Sequence, residues 1–330
     1  MDSDTRALLD TSLERVLTEP SDAPLASRLD DLGWSDVLAD DASAARRALF
    51  TIKGATLSSA DALGPELAQV LATTSGDPSF AAATVALPVT NGPAGLARWD
   101  GATARLHINA LATAPPSGDR LVVPVADDAP SRLAVVSLSA DGVTVQPVAG
   151  GDPWLGLVRI TGSPPSAAIS WLPSETAAVG WEAVVAHGRW LLAAELVGLG
   201  ERIVAMAVDY TKNRVQYGKP IGVFQALQHR LGAAHALVVG AGDLVDDAAE
   251  SGDAWAATVA KCLAGRAAEN ATVQAQQCFG AIGFTWEHDL HRYIKRAYVL
   301  DNLLGDWRTL EHEIGETILR TGVVPMLGSL

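Results

Sequence analysis

The residues best placed for chemistry gather in two strings. The first is Arg214-Val215-Gln216-Tyr217-Gly218-Lys219-Pro220-Ile221, running on to Phe224-Gln225-Ala226-Leu227-Gln228-His229. The second is Gln277-Cys278-Phe279-Gly280-Ala281-Ile282-Gly283-Phe284. An arginine offers a fixed cation and a fork of N–H donors. A tyrosine offers a flat surface, a glutamine amide donors, and a glycine a close backbone approach, since no side chain is in the way. This is chemistry for holding a ligand. Metal chemistry has no footing. Cys262 and Cys278 lack a zinc spacing, and His187, His288, His291 and His312 carry no metal spacing and read as surface or packing. His229 reads as a structural residue tying a helix end, and the nine tryptophans as mostly core or interface.

Both strings lie in a helical block, residues 174–330. Its long periodic runs are placed at about Trp181 to Val215, Phe224 to Ser251, Ala254 to Phe279, His288 to Leu304 and Trp307 to Arg320. Short Gly/Pro breaks such as Gly218-Lys219-Pro220 imply an up-down bundle of four or five helices. The last residues, VVPMLGSL, read as a fraying tail.

Two further blocks precede it. Residues 1–78 are Ala-rich and helical, with Leu8, Leu9, Leu13 and Val16, then Leu63, Leu67, Val70 and Leu71, at helix spacing. Pro20, Pro24 and Gly33 punctuate them. Residues 79–173 read as short strands cut by turns: ARLHINALA, RLVVPVAD, LVRITG and AAISWLP. RLAVVSLSADGVTVQPV reads as a hairpin around Asp141-Gly142. Strands without intervening helices imply a small antiparallel barrel or sandwich. The fold class is therefore α+β, in the order helical, β, helical bundle.

At 330 residues, with 48% hydrophobic and 19% charged, the chain can bury a sizeable core and is not disordered. A net charge of -14 argues against nucleic-acid partners. Two cysteines are too thin a disulfide framework for a secreted protein. The apolar runs fall short of a membrane span and MDSDTRALLD lacks a signal segment, so a cytoplasmic location is expected.

The two strings resemble the acyl-CoA dehydrogenase family, whose segments run Arg-x-x-Phe-Gly-x-Pro-Ile, Phe-Gln-x-x-Gln-His and Gln-x-x-Gly-Gly-x-Gly-Phe/Tyr. The match covers about residues 180–320, and the α–β–α domain order fits as well. The β block is similar more loosely, at VVPVADD and LSADGVTVQPV, and the N-terminal block, short for the family, at Leu29 to Trp34. The resemblance implies FAD chemistry on acyl thioesters. A glutamate removes the Cα proton while the flavin accepts hydride from Cβ, and that base must reach within about 3 Å of the carbon.

By the family's spacing from Gln277, the glutamate's position falls in Leu303-Leu304-Gly305-Asp306-Trp307, at Leu304. A minority of the family places the base on the helix leading to the arginine motif, which here is Gly188. Neither residue takes a proton. The neighbouring family arginine survives as Arg189, while the family aspartate before it is Ala186. Asp301 lies a helical turn before Leu304 and is the remaining candidate acid on a similar face. Asp306 is expected to point away, and Glu195 lies a turn or two past Gly188. The family's Gly-Ser-Asp loop, which touches the flavin ring, is absent from the corresponding Leu87 to Gly95. Its Trp-x-x-x-Gly strand is reduced to Leu106-His107-Ile108-Asn109-Ala110.

What survives belongs, by the resemblance, to the ADP end of a FAD held by the neighbouring subunit. Arg214 would meet the pyrophosphate, Tyr217 the flavin or adenine, and Gln225 the phosphate or ribose. Gln277, Gly280 and Ala281 would meet the adenosine. The implied protein is the non-catalytic subunit of a heterotetrameric (α2β2) dehydrogenase, similar to those of actinobacterial steroid breakdown. It would share FAD with a homologous catalytic subunit, meet acyl-CoA mostly through that partner, and pass electrons to an electron-transfer flavoprotein. A flavin-free scaffold of the same fold, or an active homo-oligomer with Asp301 as base, are the alternatives.

Overall fold

The computed structural model describes residues 3–89, 97–126 and 132–325. The chain divides into two compact units, one made of Met1–Ala60, Trp190–Asp301 and Leu310–Leu330, the other of Asp61–Arg189 and Asn302–Thr309.

The first unit is helical. It takes in α1 (Ser3–Thr18), α2 (Leu25–Asp30) and α3 (Trp34–Thr56). Later in the chain come most of α5 (Ser174–Asn213), then α6 (Gln225–Ser251), α7 (Ala254–Phe279), and nearly all of α8 (Leu290–Asn302) and α9 (Trp307–Thr321). The expected periodicity is realised, and the breaks fall at Pro24, before α2, and Gly33, before α3. Leu9, Leu13 and Val16 are buried, whereas Leu8 stands exposed. Helices α6 and α7 are joined by Gly252, at φ +62, and by Asp253, whose carboxylate accepts from the Ala256 amide. Their close packing follows from α7's buried face of alanines, among them Ala260, Ala264, Ala268 and Ala271. Helices α3 and α5 cross where a Cβ on Gly54 would strike the Glu195 carbonyl, and one on Gly198 the Thr51 carbonyl. Only glycine allows that approach.

The second unit holds α4 (Leu63–Ser75) and a nine-stranded sheet. The strands are β1 (Thr84–Val85), β2 (Leu87–Pro88), β3 (Ala97–Asp100), β4 (Arg105–Ala112) and β5 (Arg120–Ala126). They continue with β6 (Arg132–Ser137), β7 (Val143–Pro147), β8 (Val158–Gly162) and β9 (Ile169–Trp171). The order is β7-β8-β4-β3-β5-β6-β9, with β1 beside β5 and β2 beside β4. Alternation on β4 turns Leu106, Ile108, Ala110 and Ala112 inward, onto Leu121, Val123 and Val125 of β5.

Several expectations change. The segments around Asp141-Gly142 are strands, but not a hairpin: β6 pairs with β5 and β9, while β7 pairs with β8 from Val143↔Gly162 to Pro147↔Val158. Gly142 makes the turn at φ +82. The turn hands the chain to another strand because β6 is buried between β5 and β9 and has no free edge. The sheet is not wholly antiparallel, since β1 and β3 run parallel to β5. The first bundle helix begins at Ser174 rather than near Trp181, and the fourth ends at Asn302. Of the loop expected at Leu87 to Gly95, residues 90–95 lie outside the described residues, as do Asp127 and Asp128 of VVPVADD and residues 326–330 of the tail.

Candidate functional site

The first string is held out by a hairpin. After α5 ends, β10 (Val215–Gln216) pairs with β11 (Lys219–Pro220) across a two-residue turn, Tyr217-Gly218. Both turn residues have positive φ, +54 and +79, the signature of a tight hairpin turn. Glycine adopts that conformation freely, whereas a tyrosine there is strained and is held by its surroundings. Tyr217 is 91% exposed and meets Phe224 edge to face at 6.2 Å. Lys219 places its ammonium 4.8 Å from the same Phe224 ring. Arg214 is fixed through its backbone, its N–H donating to Tyr210 O at 2.9 Å and its carbonyl accepting from Ile221 N–H at 2.8 Å. Its side chain, like that of Gln225 at the start of α6, is exposed.

The second string closes α7. Gly280 caps the helix at φ +59, ψ −136, backbone territory that side-chain-bearing residues avoid. Gln277, Gly280 and Ala281 are exposed, and Cys278 and Phe279 buried. The two strings meet at an aromatic stack the sequence did not disclose. Tyr210, one turn before Arg214, lies flat on Phe279 with centroids 4.2 Å apart, and His288 also packs on the Phe279 ring, at 4.4 Å. That stack puts the arginine end of α5 beside the Gln277–Gly280 end of α7. The result is an exposed set of two cations, Arg214 and Lys219, with two amides, a phenol and open glycine backbone. It can hold an anionic, aromatic ligand.

The two positions expected from the sequence to hold a base, Gly188 and Leu304, also meet, in the other unit. A Cβ on Gly188 would lie 2.5 Å from Leu304 Cδ1 and 3.1 Å from Leu67 Cδ2. Leu304 sits past the end of α8 at φ +58, followed by Gly305 at φ +112, and Arg189 Nε donates to its carbonyl at 3.0 Å. His187 and Glu66 pair nearby at 3.2 Å.

The other acids are engaged. Because the chain leaves the helix before Leu304, the expected shared face for Asp301 does not exist. Asp301 is buried, with the fully buried Lys261 ammonium 3.5 Å from its carboxylate and donating to its carbonyl at 2.8 Å. Glu195 is buried against Lys53 at 2.6 Å, with Arg296 4.0 Å away. Asp306 caps α9, accepting from the amides of Arg308 and Thr309 and from the Thr309 hydroxyl. Burial works against its charge, yet those three bonds hold its carboxyl below the usual range. His229 does not tie a helix end; it is exposed on α6. Trp286 and Trp154 are likewise exposed, unlike the buried Trp34, Trp181 and Trp190. Among the described residues no cluster of His, Cys, Asp and Glu fits a metal, and no helix is long and apolar enough to cross a membrane.

Residues 180–318 match the family model described as acyl-CoA dehydrogenase, C-terminal domain. Acyl-CoA dehydrogenase IpdE2 of Mycobacterium tuberculosis is 40% identical over 131 residues, 38% of this chain and 41% of that protein. FadE34 of the same organism is 34% identical over 178 residues, 52% of this chain and 24% of that one. The chain thus matches less than half the length of these curated relatives. Among solved structures, a variant of the Tcur3481-Tcur3483 steroid ACAD superposes with TM-score 0.77 at 19% identity, covering 97% of this chain and 99% of that one. The ChsE4-ChsE5 complex from Mycobacterium tuberculosis does so with TM-score 0.72 at 22% identity, covering 98% and 97%.

Proposed function

We propose that this chain, whose residues 180–318 match the acyl-CoA dehydrogenase C-terminal domain, belongs to that family and is the non-catalytic subunit of a hetero-oligomeric, FAD-dependent acyl-CoA dehydrogenase. One observation carries the reading: glycine and leucine occupy both base positions and pack on each other, with Leu67 beside them. Neither side chain can take a proton, and Asp301, the substitute, is spent on Lys261.

The cofactor fits one end only. Arg214, Tyr217, Gln225, Gln277 and the Gly280–Ala281 backbone have the donor set for the phosphates, ribose and adenine of a FAD whose flavin ring lies in a homologous subunit. Bound there, FAD supplies the hydride acceptor for α,β-dehydrogenation of a CoA thioester. This chain's residues would bind and orient its ADP end, while the partner supplies the glutamate and most of the acyl pocket. An α2β2 assembly then carries half the FAD sites of a homotetramer and hands electrons to an electron-transfer flavoprotein. The likeness to complexes of two chains, one a steroid ACAD, supports a paired assembly and a bulky, steroid-derived thioester.

The test is co-expression with a homologue that keeps the Tyr-Glu-Gly-Thr segment. A yellow complex of equal subunit ratio, active on acyl-CoA, is the expected result. A stable yellow homo-oligomer of this chain that oxidises acyl-CoA alone would overturn the proposal.

A further inference from the structure

The segment that joins α7 to α8 is held shut by two imidazoles. A short helical turn, Gly280–Phe284, leaves α7, and α8 begins at Leu290. Between them His288 Nδ1 accepts from the Leu290 amide at 3.1 Å, and the His288 carbonyl accepts from His291 Nδ1–H at 2.9 Å. These bonds place the protons: neutral His288 carries its hydrogen on Nε2, and neutral His291 on Nδ1. Trp286 meets the His291 ring edge to face at 4.5 Å and folds the segment onto itself. His291 Nε2 is buried with no hydrogen-bond partner among the described residues, so closure already forgoes one bond that water supplies on opening.

The closed segment presses on both strings. His288 packs on Phe279, which lies between Gln277 and Gly280, and Phe279 stacks on Tyr210. The Tyr210 carbonyl in turn accepts from the Arg214 amide at 2.9 Å. One imidazole therefore backs the glycine end of α7 and the arginine end of α5 together.

That contact depends on a neutral ring. A proton on Nδ1 removes the acceptor and sets a positive charge at the start of α8, where the helix dipole is already positive. Burial holds His288 below its ordinary value of 6.5, and His291 adds to this. Asp289 opposes them, and it is itself paired with Arg292 at 3.4 Å. From α7 the ring meets only the uncharged Phe279, with the Tyr210 phenol behind it. Above pH 6.5 the closed and the open segment bind the same protons. Below it the open segment binds one more, so closure weakens, by at most about ten-fold per pH unit.

We propose that His288 is a positioning residue for the ligand held by the two strings. Neutral, it clamps Phe279 and with it the Gly280–Ala281 backbone and the base of Arg214. Protonated, it lets the segment open, and the hold on the ligand's ADP end weakens in mild acid. The proposal deepens the FAD reading and rests on it for the ligand; the clamp itself belongs to this chain alone.

Hydrogen exchange of the full chain alone, at pH 7.5 and 5.5 with intrinsic rates divided out, reads the clamp over residues 277–291. His288→Asn keeps an acceptor for the Leu290 amide and does not titrate, and His288→Gln is a second variant of the same kind. In the wild type, protection of the segment is expected to fall by about ten-fold at pH 5.5 relative to α6, and in both variants to stay level. In the complex co-purified with a homologous catalytic subunit, flavin retained on dialysis should fall at pH 5.5 for the wild type and stay level for His288→Asn. A wild-type segment indifferent to pH, or the same pH profile in wild type and both variants, would overturn the proposal. So would a segment that opens while the complex keeps all its flavin. Failure to find any flavin-binding partner would sink the heteromer reading alone, since the exchange experiment needs neither flavin nor partner.

Discussion

Gly188 and Leu304 are in contact, and each occupies the space the other would need for a larger side chain: a Cβ on Gly188 would stand 2.5 Å from Leu304 Cδ1. The two positions at which the resemblance to acyl-CoA dehydrogenases leads one to expect a base are one place in space, filled by leucine. Glycine at one position and leucine at the other form an apolar plug, and Leu67 completes it.

Leu304→Glu should therefore give no dehydrogenase. A carboxylate there enters a leucine-lined space without a flavin ring or acyl chain to act on. Expected are no turnover of acyl-CoA with an artificial electron acceptor by the chain alone, and a loss of about 2–4 kcal/mol in denaturant unfolding from burying an unpaired acid. Turnover would show a working pocket.

Arg214→Ala should leave fold and assembly intact and release flavin. A charge-assisted hydrogen bond contributes about 1.5–3 kcal/mol, which is about ten- to a hundred-fold in flavin affinity. Flavin content of the dialysed complex measures it. Leu304→Ala is the control and should keep its flavin. Full occupancy in Arg214→Ala would remove the assigned role.

Lys53→Met should be among the most damaging single changes. It strips the buried Glu195 of a partner 2.6 Å away and leaves Arg296 at 4.0 Å to compensate. Breaking a buried pair costs about 3–5 kcal/mol, whereas replacing both members with apolar groups is far milder. Denaturant unfolding of Lys53→Met should show that loss, and Lys53→Met with Glu195→Leu should regain much of it.

Mild acid should loosen the aromatic stack. Burial, with His291 adding and Asp289 opposing, holds His288 below its ordinary value of 6.5. Its Nδ1 accepts from the Leu290 amide at 3.1 Å, a bond that protonation ends. Above pH 6.5 the ring is neutral folded and unfolded, and its contribution is complete. As pH falls through 6.5 the unfolded chain takes up a proton that the folded chain resists, so stability drops, levelling off below the folded-state value. Unfolding midpoints from pH 7.5 to 5 should fall more steeply for wild type than for His288→Leu; parallel profiles would refute this.

Local pattern alone determined much of this protein. Helical spacing and the Pro/Gly breaks located α1, α4, α6, α7 and α9 within a few residues, and alternation located β4. These signals are carried by neighbours in the chain. The two strings were legible because they are runs of neighbouring residues in the sequence. Only the tertiary structure decided the rest, because pairing is settled by which surfaces remain to be buried. It assigned β7 to β8 rather than β6, brought Tyr210 onto Phe279, and set Gly188 against Leu304. It also turned Asp301 from a candidate base into a buried partner of Lys261, since a left-handed residue at Leu304 ended the helical register that the sequence had extended through it.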